Sequence, residues 1–165
     1  MVQSIAHVIS QKTVNALKQS RFFSIKADGS TDNSTSEQES VYVRYVANGI
    51  PENKFIGLQE VENSTSMGVL AAIDKVLNDR MMVSVETQKN KLVNINLDGA
   101  AVNMGKYNGV GAIQKGRIGA HLTVTHCINH GLELAILDLR KDDPYLKEFD
   151  SILKVIIYYY YKNEL

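Results

Sequence analysis

Two stretches of this 165-residue chain alternate apolar and polar residues and then end in Asp-Gly, and this repeated pattern constrains the fold most strongly. They are residues 25–29 and residues 95–99. A period of two residues predicts a strand with one buried face. If the two strands are adjacent and parallel, their carboxyl ends meet at one edge of a sheet. The pattern therefore predicts that Asp28 and Asp98 emerge together there, on the same face.

The remaining sequence alternates between extended and helical periodicity. Strands are predicted over residues 23–28, 41–46, 55–61, 92–98 and 122–127. Helices are predicted over residues 1–19, 66–77, 100–118, 132–139 and 146–165. Three consecutive strands followed by strand–helix alternation predict an α/β fold with a mixed five-stranded sheet. In that sheet, a three-strand antiparallel meander adjoins two parallel strands, and helices flank its faces.

Composition excludes several classes of protein. The chain is 44% hydrophobic, which argues against disorder, and no apolar run is long enough to span a membrane. Eighteen Lys and Arg residues balance eighteen Asp and Glu residues, whereas a free-standing DNA-binding domain normally carries a basic excess. The single cysteine excludes a disulfide scaffold and indicates a reducing, intracellular compartment.

Two aspartates at neighbouring strand ends would form a hard-oxygen site for Mg²⁺ or Mn²⁺. Two such ions about 4 Å apart could hold the attacking and leaving oxygens of a phosphodiester. The structural alternative is that Asp28 and Asp98 each cap the loop that follows their strand. The spacing alone favours this alternative, because Asp-Gly after a strand is an ordinary turn signal.

Basic residues are concentrated beside the second aspartate. Only Asp98 is acidic between residues 89 and 117, and five residues there are basic: Lys89, Lys91, Lys106, Lys115 and Arg117. Such a strip would suit a nucleic-acid backbone, and a solvated helix face explains it equally well.

Cys127 and His130 lie three residues apart at a predicted strand-to-helix junction. As a zinc half-site they lack a second pair, and adding His121 and His126 gives no standard four-ligand spacing. As a catalytic dyad they lack an orienting third group. The structural interpretation is favoured, with Cys127 buried as a small hydrophobe.

Three blocks, residues 22–32, 98–110 and 126–135, resemble in sequence and order the hAT superfamily of transposases. They are most similar to its domesticated, zinc-finger-associated branch. The resemblance implies an RNase H-like fold in which Asp28 and Asp98 are the first two members of an Asp-Asp-Glu metal triad. It also implies Mg²⁺-dependent DNA cleavage and transfer in the ancestor, and a nuclear location.

The resemblance assigns Cys127 and His130 to a Cys-x-x-His segment close to the metal site. It also implies that the third carboxylate follows a large helical insertion, so Glu133, Asp138 and Glu148 come too early to match it. We therefore expect only the N-terminal part of the catalytic domain here, without the zinc-finger module.

The predicted organisation is a helical lead-in over residues 1–20, a partial RNase H-like core over 21–143 and a C-terminal helix over 144–165. The favoured function is a catalytically inactive, transposase-derived module that associates with DNA through its parent protein, or with other proteins. Two alternatives stay open: a metal-dependent transposase or nuclease completed outside this chain, and an unrelated α/β domain that binds a small ligand. The apolar stripe of the last helix also predicts self-association.

Overall fold

The computed structural model describes residues 2–31 and 36–163. It divides the chain into two compact units, Met1–Cys127 and Ile128–Leu165. The sequence limits at 20/21 and 143/144 differ from this division and stay predictions for the ancestral domain. Within the described ranges, no helix is long and apolar enough to cross a membrane.

The first unit contains a five-stranded sheet with the order β3-β2-β1-β4-β5. Its strands are β1 (Phe23–Thr31), β2 (Glu37–Ala47), β3 (Ile50–Glu60), β4 (Leu92–Leu97) and β5 (Thr123–His126). The strands β1, β2 and β3 pair antiparallel, while β4 pairs parallel with both β1 and β5. This arrangement confirms the predicted fold class: an antiparallel meander beside two parallel strands.

Five helices accompany this sheet. They are α1 (Val2–Gln19), α2 (Ser66–Lys75), α3 (Val85–Lys91), α4 (Ala101–Met104) and α5 (Val110–Ile118). Helix α2 begins at an N-cap, Thr65, whose hydroxyl accepts a hydrogen bond from the Gly68 amide, and it continues into a π-helical turn at Val76–Arg80. A capping hydroxyl satisfies an amide that otherwise lacks a partner in the first turn.

Alternate residues of the strands build the core. Phe23, Ile25 and Ala27 of β1 are buried, as are Val41 and Val43 of β2 opposite them. Helix α2 and the π-helical turn that follows it add Ile73, Val76 and Leu77 to the core, and all three are fully buried. Removing one such side chain from water stabilises the fold by about 1.5–3 kcal/mol, so these residues hold the sheet and helices together.

The β2–β3 connection is tighter than the sequence predicts. Asn48 and Gly49 have φ angles of 52° and 78° and form a two-residue turn of the kind that favours Asn-Gly. Residues 50 and 51 therefore already belong to β3, where Pro51 faces Val46. A proline is tolerated there because β3 is an edge strand. Strand β1 also runs further than predicted, to Thr31. A turn was predicted from Gly29 to Asn33, and its last two residues lie outside the described residues.

Two helical predictions need correction. Helix α3 has no counterpart in the predicted order, because it has no apolar stripe; Ser84 caps it and Gln88 is its buried residue. The predicted helix over residues 100–118 is interrupted between α4 and α5. Gly105 and Gly109 approach so closely there that a Cβ on Gly109 would clash with the Gly105 nitrogen.

The second unit consists of helices α6 (Ile128–Asp142) and α7 (Pro144–Asn163). Asp143 separates them, and its Oδ1 accepts hydrogen bonds from the amides of Tyr145 and Leu146 at 2.8 and 3.3 Å. Proline suits the first position of α7 because its φ is already helical and no amide is lost there. Asp143-Pro144 thus ends one helix and starts the next.

Candidate functional site

The parallel pairing on which the predicted aspartate site depends is present. Strands β1 and β4 are neighbours, and Lys26 faces Asn96. Asp28 lies two residues beyond Lys26, inside β1, which continues to Thr31, and Asp98 lies two residues beyond Asn96, directly after the end of β4. Both aspartates are therefore toward the carboxyl ends of these two parallel strands.

Local contacts hold the Asp98 carboxylate. Its Oδ1 accepts hydrogen bonds from the Ala100 amide and from Asn103 Nδ2, both at 2.8 Å. These bonds tie the end of β4 to the start of α4, which is the loop-capping role that the sequence left as the alternative. The second oxygen, Oδ2, is not engaged by these bonds.

Asp28 is in a more open environment. Its Oδ2 lies 3.9 Å from Lys26 Nζ, and the Asp28 side chain is 54% exposed. An exposed ion pair at that distance contributes little stability. Strand alternation also directs Asp28 to the opposite side of β1 from its neighbour Gly29.

A third carboxylate, Glu39, lies at the same edge of the sheet, and the sequence analysis did not identify it. Glu39 is only 4% exposed and faces Gly29 across the β1–β2 ladder. A Cβ on Gly29 would lie 2.9 Å from Glu39 Oε1, so the glycine makes room for this carboxylate. None of the described residues donates a hydrogen bond to it.

Burial raises the pKa of Glu39 to about 7, and the negative charges of Asp98, Asp28 and Glu37 add to this effect. Desolvation and repulsion both disfavour the charged form of a carboxylate. Three acidic neighbours repel the charged form of Glu39, and no basic group is among the causes of its pKa shift. A signal for it exists in the sequence, since the alternation of Val41 and Val43 extends to Glu39 on the buried face.

Glu39, Asp98 and Asn103 line one cavity of about 220 Å³. Asn103 is 4% exposed, and its Oδ1 atom has no hydrogen-bond partner in the described structure. Gly29 and Glu37 also contribute to the wall, whereas Asp28 does not. The lining of the cavity is therefore acidic. Across residues 2–31 and 36–163, no three His, Cys, Asp or Glu side chains form a group that could hold a metal ion.

The structure accounts differently for Cys127 and His130. Cys127 is a free thiol that is half-buried rather than buried, and its amide donates to the Leu97 carbonyl at 2.8 Å, which prolongs the β4–β5 ladder. His130 lies in the first turn of α6, with Nδ1 3.7 Å from Glu133 Oε2. The two residues fall in different compact units.

Two residues of the predicted basic strip are engaged in contacts within the fold. Lys91 Nζ donates to the carbonyls of Lys18 and Ser20 at 2.7 and 3.0 Å. Arg117 forms a bidentate pair with Asp74, and this hydrogen bonding raises the pKa of Arg117. Two of the five cations therefore stabilise the fold, leaving Lys89, Lys106 and Lys115 for other roles.

Comparison with known proteins agrees with this architecture. A family model described as "ZMYM1/FAM200, RNase-like domain" (DUF4371) matches residues 1–109. The matched region includes Asp28, Glu39 and Asp98. No curated protein matches the chain. The match covers more than half of the sequence, and the chain therefore belongs to the ZMYM1/FAM200 RNase-like domain family, a transposase-derived group of RNase-like domains.

Proposed function

We propose that this domain is a non-catalytic assembly module derived from an hAT transposase, which joins to a second copy of itself through α6 and α7. The observation that carries the proposal is the exposure of large apolar side chains on both helices. They include Leu132, Ile136, Leu139, Phe149, Ile152 and Ile156, which are 45–68% exposed.

The helical unit has little core of its own. Among its large apolar residues with described side chains, only Leu146 and Leu153 are partly buried, and none is buried. Amphipathic helices need to cover an apolar stripe, and contiguous exposed patches of this kind mark interaction surfaces. A partner surface would supply the burial that α6 and α7 lack.

The charges of this unit favour a copy of the same chain as the partner. Asp150 Oδ1 lies 3.0 Å from Arg140 Nη2, and its Oδ2 lies 3.1 Å from Lys154 Nζ. Asp138 lies 2.8 Å from Lys141 Nζ. Because these charges are compensated locally, two copies can meet along their apolar stripes without like-charge repulsion, in the two-fold arrangement typical of dimers.

Size-exclusion chromatography with light scattering tests this proposal over a concentration series. We expect a concentration-dependent dimer of the wild-type protein, and a monomer for Ile156→Glu, since a buried unpaired charge is costly. Ser151→Glu is the matched control, because it adds the same charge to α7 without removing an apolar contact, and it should stay dimeric. A wild-type monomer at every concentration, or a dimeric Ile156→Glu, contradicts the proposal.

One observation favours a second candidate, a metal-dependent nuclease: Asp28, inside β1, and Asp98, directly after β4, are both toward the carboxyl ends of adjacent parallel strands. The test is incubation of supercoiled plasmid with Mg²⁺ or Mn²⁺. For a non-catalytic module the plasmid stays intact, whereas nicking that Asp98→Asn abolishes would establish the enzyme. For the non-catalytic module, contact with DNA and a nuclear location would be properties of the parent protein. Because the chain belongs to the RNase-like domain family, we do not propose the alternative of an unrelated domain that binds a small ligand.

A further inference from the structure

The loop between α4 and α5 forms one wall of a cavity whose charged residues are all basic. The cavity has a volume of about 360 Å³, and residues of α5 and β5 complete its lining. Lys106 and Lys115 line it, and none of the described residues that line it is acidic. By contrast, Glu37, Glu39 and Asp98 line the cavity of about 220 Å³. Two cations around one concave surface attract an anion.

Neither lysine is neutralised by the part of the chain that the structure describes. Among the described residues, no carboxylate forms an ion pair with Lys106 or Lys115, and both side chains are exposed. Lys106 Nζ lies 5.3 Å from the centroid of the Tyr107 ring, a contact that orients the ammonium group without removing its charge. Lys91 and Arg117 of the same strip are engaged within the fold. Lys106 and Lys115 therefore keep their donors available for a ligand.

We infer that this cavity is an anion site in which Lys106 and Lys115 bind a phosphate group. An ammonium group carries three donors and no acceptor, and lysine binds phosphate as a point charge. The phosphate group belongs either to a small molecule or to a nucleic-acid backbone, because both present the same charged oxygens. In the second case, the contact would add to those that the parent protein makes with DNA. The basic strip predicted from the sequence is thereby reduced to two residues that share one cavity.

The local fold places neutral polar groups beside the two lysines. Gly111 and Lys115 are one helical turn apart, so both lie on the face of α5 that lines the cavity. Gly105 precedes Lys106 in the loop, and both glycines bring backbone to the lining without a side chain. Thr123 of β5 adds a hydroxyl. Hydroxyl and backbone donors commonly orient a phosphate group that lysines attract.

NMR titration with sodium phosphate tests the inference, with sodium chloride keeping the ionic strength constant. We expect the amide resonances of the lining residues to shift as phosphate is added to the wild-type protein. The double variant Lys106→Ala/Lys115→Ala should bind at least about tenfold more weakly, because hydrogen bonds to charged groups are lost. Lys106→Arg/Lys115→Arg keeps both charges and should keep binding.

Lys89→Ala is the matched control for this titration. It removes an exposed lysine of the same strip, and Lys89 does not line the cavity. This variant should therefore bind phosphate like the wild-type protein. Circular dichroism verifies that each variant is folded, which we expect because all three lysines are exposed.

Fluorescence anisotropy with a labelled DNA duplex distinguishes the two sources of the phosphate group. If a nucleic-acid backbone is the source, the wild-type protein binds the duplex and the double alanine variant binds it more weakly. The dependence of log K on log salt should then be shallower by about two in that variant, one for each lost phosphate contact. If phosphate binds and the duplex does not, the ligand is a small phosphate compound. Both results support the anion site.

Three results would overturn the inference. The first is a wild-type protein that binds neither phosphate nor the duplex. The second is a double alanine variant that binds as tightly as wild type, and the third is a Lys89→Ala protein that loses as much affinity as the double variant. These outcomes do not depend on the assembly proposal, which is read from the oligomeric state.

Discussion

The sheet unit and the helical unit of this chain stabilise themselves in different ways. In Met1–Cys127, apolar residues from β1, β2, β4 and the α2 region form one buried cluster. In Ile128–Leu165, the helices are defined by a capped turn and by ion pairs, and their large apolar residues are exposed or only partly buried. A core stabilises a domain by burial, whereas helices without one depend on contacts from outside themselves. The family match, to residues 1–109, falls within the sheet unit.

Truncating one isoleucine in each unit gives the largest expected contrast. Ile95 of β4 is fully buried, and Ile95→Ala should lower the free energy of unfolding by about 2–5 kcal/mol because it leaves a cavity. Ile152 of α7 is 53% exposed, so Ile152→Ala should cost less than about 1 kcal/mol. Urea unfolding at low protein concentration measures both. Equal losses of unfolding free energy would contradict the difference in burial between Ile95 and Ile152.

The pH dependence of stability should show the free-energy cost of ionising the buried Glu39 carboxyl group in the sheet unit. Its pKa rises from an ordinary 4.5 to about 7 on folding, so the folded state holds the proton more tightly. The free energy of unfolding therefore includes a contribution from this tighter proton binding. That contribution is fully present below pH 4.5 and is lost as the pH rises through 7, by at most about 3 kcal/mol. With EDTA present, Glu39→Gln should remove that decline and be more stable than wild type at pH 8.

Chemical denaturation at pH 5 and pH 8 makes this measurement. Glu62→Gln, at an exposed carboxylate, should keep the wild-type profile. A Glu39→Gln protein that declines as steeply as wild type would show that another group causes the pH dependence.

A smaller effect is expected at the turn of the helical unit. Asp143→Ala removes the acceptor of two amide hydrogen bonds at the start of α7 and should cost about 1 kcal/mol. Hydrogen exchange at the Tyr145 and Leu146 amides should accelerate accordingly. Asp138→Ala removes only an exposed ion pair with Lys141 and should leave those amides unchanged. Unchanged exchange in Asp143→Ala would exclude the capping role.

The smallest effect is expected at Cys127, the last residue of the sheet unit. Because the thiol is half-buried and its hydrogen bond to Leu97 uses the backbone, Cys127→Ser should cost less than about 1 kcal/mol. Thermal unfolding under reducing conditions measures it. A larger loss would mean that the side chain is packed as a core residue.

Local rules predicted most of the framework. The alternation of β1 and the helix that begins at Ser66 follow from residue types a few positions apart. Helix α3 was not predictable by the same means, because its first turn is secured by Ser84 and its one buried residue is polar. Periodicity detects helices through apolar stripes, and α3 has none.

The candidate site was predicted in part. The matching patterns predicted that Asp28 and Asp98 belong to neighbouring parallel strands, and they left open the loop-capping alternative for Asp98. Only Asp98 comes directly after its strand, because β1 continues past Asp28 to Thr31. The basic strip was predicted as a surface, but Lys91 and Arg117 are engaged within the fold. Their partners, Ser20 and Asp74, are distant in sequence, and no local pattern connects them.

The sequence by itself determined where the chain is extended, where it turns and which residues carry acid groups, because these depend on neighbours within a few positions. Only the tertiary structure decided which acids meet. Glu39 faces Gly29 because of the β1–β2 register, and it shares a cavity with Asp98 because β4 lies on the other side of β1. Strand register and strand order are set by the burial of the whole sheet, so no segment alone encodes them.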